Sequence, residues 1–292
     1  MPADATNNSG SPIGRIRPAR RPFAWQAPGP PPAPPASTHH LGPRGDEDLC
    51  FLSGDWRILQ RLDGHRWSLD DLATAWMAAD TAAEAPPRRI VDLGCGIGSV
   101  LLMMLWRFPA ATGVGVEAQE ISVDLARRSI AWNGVDERCL VHHADFRDET
   151  ILAREKPFDL VTGTPPYLRP GEGAESRRPQ FGPCHFEHRG GLEAYCDAAT
   201  RLLAPDGAFV LCAGAAQHDR MLDAAQRAGL AVARRRQVVP RDGKAALFSV
   251  YALRRAPDIA EAVDDPPLIV RDRDGHRTPD FIALRAAMGM PP

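Results

Sequence analysis

The stretch RRIVDLGCGIGSVLLMMLWRF, residues 88 to 108, most constrains what this chain can fold into. A short apolar run, a turn rich in glycine and a longer apolar run read as strand, tight turn and helix. The pattern then repeats. TGVGVEAQ is a short strand ending in an acid, and ISVDLARRSIAWNG has helical spacing with an Asn-Gly stop. CLVHHADF and FDLVTGTPP are strand-like, GGLEAYCDAATRLLAPDG is helical, AFVLCAG is a strand and HDRMLDAAQRAG a helix. Strands alternating with helices pair in parallel through right-handed crossovers, so the expected class is α/β with a doubly wound, mainly parallel sheet. LAVARRRQVV and ALFSVYALRR, joined by PRDGKA, add an antiparallel hairpin at the C-terminal end.

Ligands of such sheets bind beyond the carboxyl ends of the strands, near the point where strand order reverses. The chemically informative residues fall there. Asp92, Gly94, Gly96 and Gly98 sit at the first strand-to-helix turn, where glycines let the backbone turn sharply beneath a ligand. Their spacing is G-x-G-x-G, not the G-x-G-x-x-G that seats a pyrophosphate on a helix N-terminus, which disfavours a nicotinamide dinucleotide. Glu117 ends the second strand, where a carboxylate accepts both hydroxyls of a ribose. Asp145 ends the third, where an acceptor meets an adenine amino group.

Residues 1 to 48 read differently. APGPPPAPPAS forms neither helix nor sheet, and RIRPARRP carries four arginines with no acid nearby, so an unstructured tail is expected. It is either an RNA-touching arm, a targeting segment or a dispensable extension. Residues 49 to 292 form the expected single folded domain. The net charge of −2 exerts no global pull on nucleic acid or membrane, so an anionic partner has to be met by a local basic patch. The six cysteines, Cys50, Cys95, Cys139, Cys184, Cys196 and Cys212, contain no C-x-x-C pair. That argues against a zinc site and a disulfide framework. With no signal-peptide core and no apolar run near the roughly 18 residues of a membrane span, a cytoplasmic protein without membrane partner or metal is expected.

VDLGCGIGS, GVEAQ, HADFRD and DLVTGTPPY, in that order, resemble the successive motifs of class I S-adenosylmethionine-dependent methyltransferases. The last is similar to the Asn-Pro-Pro-Tyr motif of enzymes that methylate planar amino groups on adenine or glutamine. GHRWSLDDLATAW and GHRTPDFIAL extend the resemblance to bacterial tRNA adenine-N6 methyltransferases acting on position 37 of tRNA(Val). It covers roughly residues 54 to 285 and implies a seven-stranded Rossmann-like sheet. It also implies S-adenosylmethionine as cofactor and RNA, tRNA foremost, as substrate. Gly94, Gly96 and Gly98 would pass beneath the methionine part of the cofactor. Asp92 would hold its ammonium directly or through the loop, Glu117 the ribose and Asp145 the adenine, with Ser68, Asp70 and Asp71 close to the methionine end. Glutamine-N5 methylation of a protein is the alternative, although its enzymes carry a separate N-terminal helical domain. Small-molecule N-methylation, or cofactor binding with little catalysis, also remains open.

The catalytic candidates are Thr164, Pro165, Pro166 and Tyr167. An exocyclic amino group is a poor nucleophile because its lone pair is delocalised, so a site must accept its hydrogens and fix it at attack distance, about 3 Å. Two prolines freeze the backbone and aim the Pro165 carbonyl, a preorganised acceptor. Tyr167 offers a face to a planar base, worth about 1–3 kcal/mol. Threonine at 164, where the related enzymes have asparagine, has a hydroxyl that accepts from a different place. Three readings follow: unchanged chemistry, a shifted nucleophile, or little catalysis. Beyond the elbow, the loop from Leu168 to Gly190 mixes arginines (Arg169, Arg177, Arg178, Arg189) with Phe181 and Phe186, which suits RNA or a solvated lid. The run Ala233 to Lys244 is either a phosphate strip or a charge-protected edge.

Overall fold

The computed structural model describes residues 14–18, 21–22, 24–35, 40–173, 180–256 and 262–292. Strands β1 (Arg15–Ile16), β2 (Glu47–Phe51) and β3 (Arg57–Arg61) form a small sheet ahead of helix α1 (Leu69–Thr81). There follow β4 (Arg89–Leu93), α2 (Ser99–Arg107), β5 (Thr112–Glu117), α3 (Glu120–Asn133), β6 (Cys139–His143) and β7 (Phe158–Gly163). Next come α4 (Phe181–His185), α5 (Leu192–Leu202), β8 (Leu203–Gly214), α6 (His218–Arg227), β9 (Leu230–Val239) and β10 (Phe248–Arg255). Strand β11 (Val263–Ile269) and helix α7 (Pro279–Ala287) complete the chain.

Eight strands make one mixed sheet in the order β11-β9-β10-β8-β7-β4-β5-β6. From β8 to β6 every pairing is parallel, while β10 runs antiparallel to both β8 and β9, which is the expected hairpin. The class is as expected, but the strand count is eight rather than seven. Val263–Ile269 adds in parallel to β9, with a register shift between Asp265 and Leu268 that passes over Pro266 and Pro267. Prolines donate no ladder bond, so such a segment is tolerated only at an edge.

Side chains alternate between the two faces of the central strands. Ile90, Leu160, Val210 and Val250 pack beneath α1, α2 and α3, whereas Val91, Val161, Phe209 and Tyr251 pack against α5 and α6. Chain order reverses between β4 and β7, so the loops leaving these two neighbours open onto the same spot.

Of the segment expected to be an unstructured tail, residues 1–13, 19–20, 23 and 36–39 lie outside the described residues, and parts of the remainder contact the fold. β1 pairs in parallel with β2, and Arg17 reaches Asp48 at 2.8 Å. Arg21 pairs with Asp55 at 2.5 Å, and the Ala33 amide donates to the Asn133 carbonyl at 3.0 Å. Proline-rich chain needs no internal ladder when arginine side chains and single amides tie it to a folded surface.

Candidate active site

The turn after β4 takes left-handed backbone at Gly94 (φ +59), Gly96 (φ +53) and Gly98 (φ +85). Side chains at these positions would be strained by backbone alone. Space adds a second reason at Gly94, where a Cβ would lie 2.4 Å from the Tyr195 hydroxyl oxygen. At Gly96 a Cβ would meet nothing within 4 Å, so the loop leaves an open cradle there. That cradle is the floor of a cleft with about 1120 Å³ of empty volume, open mouth included.

The cleft collects the carboxyl ends predicted from sequence. Gly94, Gly96, Glu117, Asp145, Thr164, Pro165, Pro166 and Tyr167 all line it, together with Ser68, Asp70 and Asp71. Gly98 caps α2 beside it. Asp92 does not line the cleft. It is 2 % exposed beneath the loop, where Thr162 Oγ1 donates to its Oδ1 at 2.8 Å. Burial pushes its carboxyl up to about 7, and nearby Glu117 adds to this, while the bond from Thr162 works against it.

Asp71 ties two helices together at the cleft wall. Its Oδ2 accepts the Ser68 amide at the start of α1 at 2.7 Å, and its Oδ1 accepts the Ser99 hydroxyl at the start of α2 at 2.8 Å. Burial, with Asp70 alongside, raises its carboxyl. Glu117 accepts the Gly96 amide at 2.9 Å and the Gln119 amide at 2.7 Å; burial still raises it. A carboxylate has about four acceptor positions, so these amides do not exhaust it. Asp145 is held down by a multiple hydrogen bond to Arg147, with Nε–Oδ1 at 2.9 Å and Nη2–Oδ2 at 2.5 Å.

The elbow after β7 is fixed from several sides. The Tyr167 hydroxyl lies 3.3 Å from Asp70 Oδ2 and 3.1 Å from Cys212 Sγ. Gln217 Nε2 donates to the Tyr167 carbonyl at 3.1 Å. The ring stacks with Phe248 at 6.3 Å between centroids. Thr164 is half-buried, and among the described residues its hydroxyl makes no hydrogen bond.

Several cleft residues carry no signal in the sequence. Tyr195, from α5, lies under both loops: a Cβ at Gly163 would come 2.7 Å from its ring. Phe146 packs on it at 4.5 Å. Gln180, outside the lining, braces His65, which lines the cleft, accepting its amide at 3.2 Å and donating to Ser122 Oγ at 2.9 Å. Of the loop candidates, Arg177 and Arg178 lie outside the described residues. Phe186 is buried and contributes to the lining of the cleft. Arg189 lines the cleft.

Four carboxyl groups line the walls and one lies beneath the floor, against a single arginine, Arg189, in the lining; a cation that enters favours their charged forms. An open glycine cradle with acids at successive strand ends fits a molecule combining an ammonium, a sulfonium, a ribose and an adenine. Residues 67–177 match the methyltransferase small domain family. With the fold and this cleft, that match marks the segment as an S-adenosylmethionine-dependent methyltransferase domain of class I type.

Among curated relatives, a tRNA1(Val) (adenine(37)-N6)-methyltransferase of Porphyromonas gingivalis is 30 % identical over 142 residues, 48 % of this chain and 54 % of that protein. A release factor glutamine methyltransferase of Bradyrhizobium diazoefficiens is 30 % identical over 185 residues, 61 % of this chain and 59 % of that protein. The chain thus spans little more than half the length of these relatives. A solved structure from Agrobacterium tumefaciens, described as a predicted O-methyltransferase, superposes with a TM-score of 0.57 at 20 % identity. It covers 76 % of this chain and 98 % of that one, and shows the shared fold. Among the described residues no helix is long and apolar enough to cross a membrane.

Proposed function

We propose that the chain methylates a planar exocyclic amino group, adenine N6 in tRNA or other RNA, in the cytoplasm. The observation that carries this is the placement of the Thr-Pro-Pro-Tyr elbow and the glycine loop on neighbouring strands, facing one cleft. Bound S-adenosylmethionine supplies an electrophilic methyl group carried on a sulfonium. The chain's residues do the rest. Gly94, Gly96 and Gly98 cradle the methionine part, Asp92 acts through the loop, Glu117 holds the ribose and Asp145 the adenine. The Pro165 carbonyl and the Thr164 hydroxyl accept the hydrogens of the target amine. Acceptors held in place before the reaction cost no reorganisation during it.

Thr164 suits unchanged chemistry better than its shortness suggests, because its oxygen retains both acceptor positions. The Tyr167 ring at the cleft wall gives a base a stacking surface, and its anchored hydroxyl keeps that surface from swinging away. A glutamine amide has the same electronic problem and meets the same acceptors, and one of the relatives is named for that substrate.

The test is transfer of radiolabelled methyl to total small RNA, total protein and a metabolite extract, with Tyr167→Ala as control. Label recovered from RNA as N6-methyladenosine, and lost in the control, supports the proposal. Label confined to protein or to the metabolites overturns the substrate. Cofactor binding without transfer to any fraction overturns catalysis.

A further inference from the structure

The densest basic run of the folded region, at β9, is neutralised within the fold. Arg234 pairs with Asp80, and with Asp265 at 2.5 Å; Arg236 pairs with Asp280; Arg235 lies 3.9 Å from Asp264. An RNA backbone gains little from guanidiniums that already have carboxylate partners.

A second basic cluster is not balanced. Arg17, Arg21, Arg66 and Arg285 line one groove with Phe51 and Trp67. The fully buried carboxylate of Asp48 binds Arg17 at 2.8 Å and Arg66 at 3.0 Å, and Asp55 binds Arg21. Arg285 has no carboxylate among the described residues; its Nη2 donates to the Pro291 carbonyl at 2.9 Å. Arg57, beside the groove, has none among them either and donates to the Arg17 carbonyl at 3.0 Å. Two guanidiniums, Arg21 and Arg57, lie over the Phe51 ring at 3.8 and 3.7 Å. Five arginines therefore share two carboxylates. Burial, with Arg277 adding repulsion, pushes Arg285 down to about 10, and burial with Arg21 lowers Arg57. An anion in the groove relieves both effects.

The groove and the catalytic cleft are two sides of one short segment. His65 and Ser68 line the cleft, and Arg66 and Trp67 between them line the groove. Four extended residues span at most about 14 Å, so the two sites adjoin across this segment.

We propose that this groove seats the phosphodiester backbone of the RNA whose base enters the cleft, an inference that rests on the RNA-methylating reading above. Arginine forks match phosphate oxygens in pairs. An enzyme that draws a base out of its stack needs a grip on the backbone beside that base, and the sequence of the RNA is immaterial to such a grip. The N-terminal arm forms part of the groove wall through Arg17 and Arg21, whose charges Asp48 and Asp55 share.

The test compares binding of unfractionated tRNA across a salt series for the wild type, for Arg57→Gln combined with Arg285→Gln, the two arginines without a carboxylate among the described residues, and for Arg254→Gln. Arg254 donates to the Asp206 carbonyl and serves as an arginine control away from the groove. S-adenosylmethionine affinity, measured by calorimetry on each protein, reports an intact domain. The double variant should lose roughly tenfold in tRNA affinity at moderate salt, with the log–log salt slope reduced by about 1 per arginine, while the control is unchanged. Equal affinity and slope in the double variant, with RNA still bound and methylated by the wild type, overturns the groove alone. Absence of any methyl transfer to RNA by the wild type overturns the reading beneath it, and the groove with it.

Discussion

Replacing Asp92 by asparagine isolates the effect of one buried charge beneath the glycine loop. Burial lifts the carboxyl from 3.8 to about 7. At about 1.4 kcal/mol per pH unit this is a cost of about 4 kcal/mol for carrying the charge in the folded protein above pH 7. The folded value is raised, so the stability linked to this group is fully present below about pH 4 and is lost as pH rises through about 7. The replacement amide does not titrate. Its oxygen can still accept from Thr162, but its NH2 cannot accept the Leu101 amide that the carboxylate meets, a loss of about 1–3 kcal/mol. At pH 8 the Asp92→Asn variant should therefore be more stable than the wild type by about 1–3 kcal/mol. At about pH 4.5 most of the wild-type cost has gone and the order is level or reversed.

The change in the difference between the two proteins, about 3 kcal/mol across that range, does not depend on the hydrogen-bond loss, because that loss is present at both ends. Urea unfolding of the cofactor-free proteins, followed by tryptophan fluorescence and extrapolated linearly, measures it. A difference constant to within about 1 kcal/mol between pH 4.5 and pH 8 would refute the claim that Asp92 titrates near neutrality under the loop.

The same logic makes S-adenosylmethionine binding tighten as pH rises through about 7, with net proton release in calorimetry, since a cation above the loop favours the ionised Asp92. S-adenosylhomocysteine keeps the ammonium and should show a similar dependence, whereas 5′-methylthioadenosine, which lacks it, should show a clearly weaker one; equal dependence for 5′-methylthioadenosine would sink this account. Gly94→Ala should abolish cofactor binding, through its positive φ and through a Cβ 2.4 Å from the Tyr195 oxygen. Tyr195→Phe in the same chain removes that oxygen and leaves the ring carbon 3.4 Å away, so binding should recover in part; no recovery would mean that backbone strain alone decides. Tyr167→Phe keeps the ring but frees it from Asp70 and Cys212. It should lower kcat roughly tenfold with little change in cofactor affinity, and an unchanged kcat would show that the anchor has no role in orientation.

What was legible in the sequence was what is locally necessary. Gly94 and Gly96 are glycine because their backbone is left-handed, and Glu117, Asp145 and Thr164 lie at strand ends because a parallel sheet presents its carboxyl edge to ligands. Tyr195 was not legible. In the sequence it is one aromatic in a helix, and only the packing of α5 against β7 brings its hydroxyl under Gly94. VDDPPLI is not among the expected strands, and the fold uses it at an edge where the ladder donors its two prolines lack are not needed. The arginines give the sharpest case. Arg234 is part of the densest basic run, yet its partners Asp265 and Asp80 lie 31 and 154 positions away in the chain. Arg17 and Arg285 stand at opposite ends of the sequence and line one groove. A count of charges along a chain registers neither the acids that cancel one cluster nor the folding that assembles another. Electrostatic attraction for RNA depends on the residual charge after internal pairing. By that measure the conspicuous run at β9 ranks below the scattered arginines around Trp67.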